Sequence, residues 1–186
     1  MPPIAATTSS RGAVPAPTGP AGSADLPSFR RVTARRLVAT ARELGARPEL
    51  WAPHRAFSPG ERHAVRVAAT ATWEAWLLGW LPGQTTGLHD HGGSAGAFVV
   101  LEGALEEATL APPRGHQPAA LLHRILDTGR HRSFGPHHVH EVSCAGRVPA
   151  VSLHVYAPAL ATMRRFVLDD DGRAVIVSRE RAGVDW

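Results

Sequence analysis

The sequence predicts a mainly β domain, a sandwich or barrel, entered through one or two N-terminal helices. Two observations carry this. From about residue 64 the chain breaks into short β-prone runs: "HAVRVAAT", "TWEAWLLGWL", "GAFVVLEG", "ALEEATLA", "HEVSC", "AVSLHVYAP", "RRFVLDDDG" and "RAVIVS". Gly, Pro and Asp punctuate them, a spacing typical of all-β sandwiches and barrels. Before residue 53 the texture differs. In "LPSFRRVTARRLVATARELGARPEL", Phe29, Val32, Leu37, Ala41 and Leu44 approximate one helical face, Ser28 can cap it and Gly45 can stop it. Further on, "DDDG", Asp169 to Gly172, reads as a hairpin turn joining "RFVL" to "AVIVS".

The domain plan follows from composition. Residues 1 to 25 are rich in Pro, Ala, Ser, Thr and Gly without apolar periodicity, so a disordered tail is expected there. Residues 26–186 form one domain, and the 186-residue chain is long enough for a sizeable core. The chain has no lysine, so all 20 of its basic residues are arginine, scattered as singles and pairs. Such scatter is unlike the basic runs of nucleic-acid binders, and no nucleic-acid partner is expected. A single cysteine, Cys144, rules out an intrachain disulfide and fits a reducing cytoplasm. Apolar runs are too short for a membrane helix, and the N-terminus lacks the pattern of a signal peptide.

Chemistry concentrates in "PGQTTGLHDHGGSAGAFVVLEG", Pro82 to Gly103. On a strand, His89 and His91 point to one face, about 6.6 Å apart along the backbone. Two imidazoles can converge from there on one metal ion at bonds of roughly 2 Å. Asp90 points the other way and is a poor ligand candidate. Downstream, His138 and His140 share a face by the same alternation, so either can complete a set of three.

The surrounding spacing resembles the cupin superfamily. Its first motif runs glycine, five residues, H-x-H, three or four residues, glutamate, six residues, glycine. Here the positions are Gly83, His89, His91, Gly96 and Gly103, with glycine where the glutamate ligand would stand. The second motif is matched in part by Gly129, Gly135, Pro136, His137, His140 and Cys144, and its histidine falls on His140. "LHDHGGSAGAFVVLEG" and "HEVSC...PAVSLHVYAP" are similar to the thiol dioxygenases within that superfamily, and to cysteine dioxygenases in particular, over about residues 60 to 165.

That resemblance implies a cupin-type small β-barrel, or jelly roll, with Fe(II) held by His89, His91 and His140. Three neutral imidazoles leave iron its full charge, which suits an anionic thiolate. The resemblance also places Ser152, His154 and Tyr156 in the family's hydrogen-bonded trio, and residues i, i+2 and i+4 do share a strand face. For the substrate carboxylate it points to Arg66, with Arg62 available after a register shift. Arg164 and Arg165 are further candidates, Arg165 through the related 3-mercaptopropionate dioxygenases. The cysteine that some animal members cross-link to the tyrosine corresponds to Gly96, so no cross-link is expected.

The activity implied is dioxygenation of the L-cysteine thiol to cysteine sulfinate with O₂. The partners are then a small thiol amino acid and O₂, and the protein is expected to be a monomer. Alternatives are another small thiol such as 3-mercaptopropionate, a zinc site, or a non-enzymatic metal-binding cupin. His54, His63, His116, His123 and His131 have no partner pattern and read as surface or loop residues. Trp73, Trp76 and Trp80 read as barrel core, and Cys144 as a small buried residue.

Overall fold

The computed structural model describes residues 32–110 and 120–182. The expected tail over residues 1–25 lies outside the described residues, as do Ser28, Phe29 and His116. Helix α1 spans Ala34–Gly45, and a short α2, Pro48–Trp51, follows it with one 3₁₀ turn, Ala52–His54. Thr33, not Ser28, caps α1: it has extended backbone, and its side chain accepts from the Arg36 amide at 3.3 Å. The helix therefore starts after Val32, which is exposed, and its inner face is Leu37, Thr40, Ala41 and Leu44. Burying each leucine contributes about 1.5–3 kcal/mol.

Ten strands follow: β1 His63–Ala69, β2 Glu74–Trp80, β3 Ala95–Glu102, β4 Ala104–Leu110, β5 Leu121–Asp127, β6 His131–Phe134, β7 His140–Cys144, β8 Ala150–Ala157, β9 Thr162–Leu168 and β10 Ala174–Arg181. Every β-prone run of the sequence falls on one of them. β5 and β6 are not among those runs. "LLHRILD" carries its apolar residues at 121, 122, 125 and 126, a helical spacing, and becomes a mostly exposed edge strand. The expected hairpin turn at Asp169–Gly172 joins β9 to β10, with Gly172 at φ +73° and its amide bonded to the Asp169 carbonyl at 2.9 Å.

The strands form two layers. One is an antiparallel sheet in the order β1-β2-β8-β3-β6. The other comprises β5-β4-β7 and the β9–β10 hairpin. Residues 85–90 join its two parts: Thr85 bridges Ser143, while His89 bridges both His140 and Arg165. This is the jelly roll that the sequence led us to expect.

β8 explains how one strand serves two cores. All eight of its residues are buried. Leu153, Val155 and Ala157 face α1, together with Trp73, Ala75, Ala97 and Val99. Ala150 and Tyr156 face between the layers, with Trp80, Phe98, Leu105, Phe134 and Val142. Period-2 alternation thus sends Ser152, His154 and Tyr156 together into the barrel. No helix among the described residues is long and apolar enough to cross a membrane.

Candidate metal centre

His89, His91 and His140 come together inside the barrel, with ligating atoms within 4.8 Å of one another. Their ring centroids stand 4.8, 4.8 and 5.1 Å apart. The H-x-H does not lie on a regular strand, as simple alternation would have it. His89 is pinned by its backbone bridges, its amide to the His140 carbonyl at 2.9 Å and the His140 amide back to it at 3.0 Å. His91 comes just before the turn that leads into β3. Asp90 points away, as expected, and is fully buried. Its carboxylate accepts from the Arg164 side chain at 2.6 Å and from the amides of Gly92 and Arg164 at 3.2 and 3.1 Å. Arg164 is thereby occupied outside the site, fixing the loop that presents both histidines.

The nitrogens fit a metal. His89 Nδ1 is held by the Gly87 carbonyl at 3.0 Å and His140 Nδ1 by Glu107 at 2.9 Å, so each ring keeps Nε2 for a ligand. Both ring nitrogens of His91 are buried without a hydrogen-bond partner. Such orphaned atoms are costly unless something binds them. Burial, reinforced by neighbouring histidines, pushes His89 and His91 well below the usual histidine range, and burial lowers His140 despite Glu107. Neutral imidazole is the form that coordinates a metal. His138, the rival third ligand, instead stacks on Phe134 and comes within 3.6 Å of Glu107.

Where a carboxylate ligand would stand in the cupin motif, Gly96 leaves no room. A Cβ there would run into the edge of the Phe134 ring and meet Tyr156 Cδ1 at 3.1 Å. The Phe134 ring fills that space and stacks on His91, centroids 4.6 Å apart and 18° from parallel.

The trio on β8 forms a hydrogen-bonded chain with one addition. Trp80 Nε1 donates to Ser152 Oγ at 2.8 Å, Ser152 Oγ lies 2.8 Å from His154 Nε2, and His154 Nδ1 lies 3.3 Å from the Tyr156 hydroxyl. Indole can only donate, so a buried Ser152 places its own proton best on His154. His154 then carries its hydrogen on Nδ1 toward Tyr156, and the phenol proton is left to point into the cavity. Burial raises the Tyr156 hydroxyl far above its ordinary value, so the phenol stays protonated.

The arginines sort differently from the leading expectation. Arg66 is exposed on β1 and pairs with Glu74 at 3.4 Å. It lies opposite Trp76 and so on the sheet face that His154 shares, but it is exposed there and held by Glu74 rather than by the trio. Arg165 is also committed, with Nε and Nη2 on Glu180, each at 2.9 Å, and Nη1 on the Thr86 carbonyl at 2.7 Å. Arg62 lies just before β1 with its guanidinium 4.7 Å from the centroid of the Trp80 ring. Its Nε is buried without a hydrogen-bond partner. Burial lowers the guanidinium, and its charge acts on Tyr156 and His154 nearby. Of the sequence candidates, this is the one cation left without an acidic partner beside the trio.

Glu107 and Phe134 carry no motif. The signal for Glu107 was present in the alternation of β4, where it falls two residues after the core Leu105.

Two β-layers closing on a buried three-histidine cluster define a metal-binding β-barrel of cupin type. The sequence model of the family described as cysteine dioxygenase type I matches residues 29–169, and the chain belongs to that family. Among solved structures, a protein from Thermus thermophilus is 23% identical, covering 58% of this chain and 93% of its own at a TM-score of 0.46. A protein with a double-stranded β-helix domain from Klebsiella pneumoniae is 22% identical, covering 57% and 85% at 0.47. A cupin superfamily protein from Desulfitobacterium hafniense is 11% identical, covering 58% and 87% at 0.46. No curated protein matches the chain.

Proposed function

We propose that the protein is an Fe(II)-dependent thiol dioxygenase that converts L-cysteine to cysteine sulfinate, both oxygen atoms of O₂ ending on sulfur. The observation that carries this reading is the pairing of a three-histidine cluster, free of carboxylate ligands, with a half-buried arginine without an acidic partner, Arg62, whose Nε is buried without a hydrogen bond. Iron at His89, His91 and His140 would supply the redox-active centre at which thiolate and O₂ meet. Arg62 takes the substrate carboxylate, since a planar guanidinium pairs with it through two hydrogen bonds. Trp80 holds that guanidinium in place and keeps water from it. Tyr156, oriented by His154, Ser152 and Trp80, donates its hydroxyl proton toward the bound substrate and positions it.

The test is metal analysis of protein purified without added metal, followed by oxygen uptake with L-cysteine and with 3-mercaptopropionate. Iron content, one O₂ consumed per thiol and sulfinate as product are expected, with L-cysteine the better substrate. Faster turnover of 3-mercaptopropionate would reassign the substrate. Folded, iron-loaded protein that consumes no O₂ with either thiol would overturn the reading.

A further inference from the structure

Glu107 sits in the barrel interior, 1% exposed, beside the apolar core between the layers. Such a carboxylate is costly unless fully paired. It is paired on both oxygens: Oε1 faces His140 Nδ1 at 2.9 Å, and Oε2 accepts from Arg132 Nε at 2.6 Å. Arg132 arrives from β6 in the opposite layer, so the pair spans the barrel. We propose that Glu107 is a positioning residue for the metal centre, resting on the assignment of His140 as a ligand. It fixes the His140 tautomer with hydrogen on Nδ1 and directs Nε2 at the metal.

The arrangement also answers the absence of a carboxylate at Gly96. The negative charge has not left the site. It stands one residue further out, behind an imidazole, where it makes the ring a stronger donor without occupying a metal position. Arg132 holds the carboxylate's second oxygen, so Glu107 cannot turn away from His140.

The experiment is metal affinity, measured by competition of Co(II) or Zn(II) with a chromophoric chelator in the parent protein and in Glu107→Gln. The amide keeps the shape but loses the charge. Affinity is expected to fall about 10–100-fold, with unchanged circular dichroism and a shifted Co(II) visible spectrum. Affinity within about twofold of the parent in a folded variant would overturn the proposal, since supporting groups of this kind normally exceed that. Histidine side-chain ¹⁵N spectra of the Zn(II)-loaded parent need no variant. They should show His140 protonated at Nδ1, and protonation at Nε2 would sink the idea whatever the variant does. If no metal binds the parent at all, it is the three-histidine centre that fails first.

A separate observation concerns the open edge between the layers. β5 and β6, one edge strand from each sheet, flank a cleft of about 500 Å³. Arg42 of α1, Arg124, Arg130 and Arg132 line it, with Ile125 and Leu126, and no acidic residue does. Among the described residues, Arg42, Arg124 and Arg130 make no ion pair, and only Arg132 is committed, to Glu107. Three unpaired guanidinium groups beside a small apolar wall suit an anion with several charged oxygens. We infer that this cleft binds a phosphate-bearing small molecule. Calorimetry on the metal-free protein with pyrophosphate as probe should show saturable binding that weakens with added salt. The double variant Arg124→Ser, Arg130→Ser should bind it at least about tenfold more weakly, the loss of one or more charged hydrogen bonds. No saturable binding, or equal affinity in the variant, would refute the inference.

Discussion

Phe134 occupies the space that any side chain at Gly96 would need, its ring edge standing well inside contact distance of where a Cβ would be. The two residues are paired across β3 and β6, so neither backbone can retreat. Glycine here is therefore a packing requirement as well as the loss of a ligand.

Gly96→Cys should destabilise the protein by about 1–3 kcal/mol through overpacking, and Phe134→Leu should recover part of that in the double variant. Urea unfolding of the four proteins measures it. Additive effects would mean that the two sites do not share the space.

Arg62→Leu should raise KM for L-cysteine by about 10–100-fold, the loss of a paired charged hydrogen bond, with metal content unchanged. Arg66→Ala should leave KM within about twofold of the parent, because Arg66 is half-exposed and committed to Glu74 rather than free to take a substrate carboxylate. Cysteamine, a thiol without a carboxylate, should not distinguish Arg62→Leu from the parent. Steady-state oxygen uptake separates the three cases.

The metal-free protein should lose stability as pH falls. Burial first, then neighbouring charges, holds His89, His91 and His154 well below the usual histidine value. Below about pH 6.5 the unfolded chain takes up protons that the folded one refuses, so stability declines by up to about 1.4 kcal/mol per pH unit per group. Glu107 adds to the decline only below about pH 4.5, near the ordinary glutamate value. Burial raises its carboxyl, but contacts from His138, His140 and Arg132 outweigh that and hold it far lower. Thermal unfolding between pH 8 and 5 reads the histidine window. A flat profile would show that these rings are protonated in the fold.

Tyr156 is the single tyrosine of the chain, which makes its ionisation directly visible in the ultraviolet. Ordinary phenols titrate near pH 10. Burial, the largest of the influences on Tyr156, should keep the native protein free of phenolate absorbance to about pH 11, with the signal appearing on unfolding. A titration near pH 10 in folded protein would place the hydroxyl in water.

Much of this centre is legible in the chain. His89 and His91 announce themselves by spacing, while Ser152, His154 and Tyr156 are picked out by the family resemblance, and alternation along β8 accounts for their sharing one face. Other parts depend on pairings that no local pattern encodes. Arg62 and Arg66 differ by four residues, and the register of β1 on β2 decides which one faces Trp80 and which one Glu74. Alternation from Leu105 turns Glu107 inward, but nothing local shows that His140 and Arg132 will meet it until β4 is set against β7 and β6 closes the barrel. β5 keeps a helical spacing of apolar residues because an edge strand exposes both faces and needs no alternation.

The seam at His89 separates two kinds of work within one residue. Its amide and carbonyl close the sheet against His140, while its imidazole faces the cavity. Alanine at 89 would keep both backbone bonds and remove only the ring, whereas proline would remove the amide that β7 requires. A barrel assembled this way can lose or exchange its metal through single side-chain substitutions and still fold. Reactivity and architecture are free to diverge along the lineage, and shape alone is a poor guide to what such a barrel does.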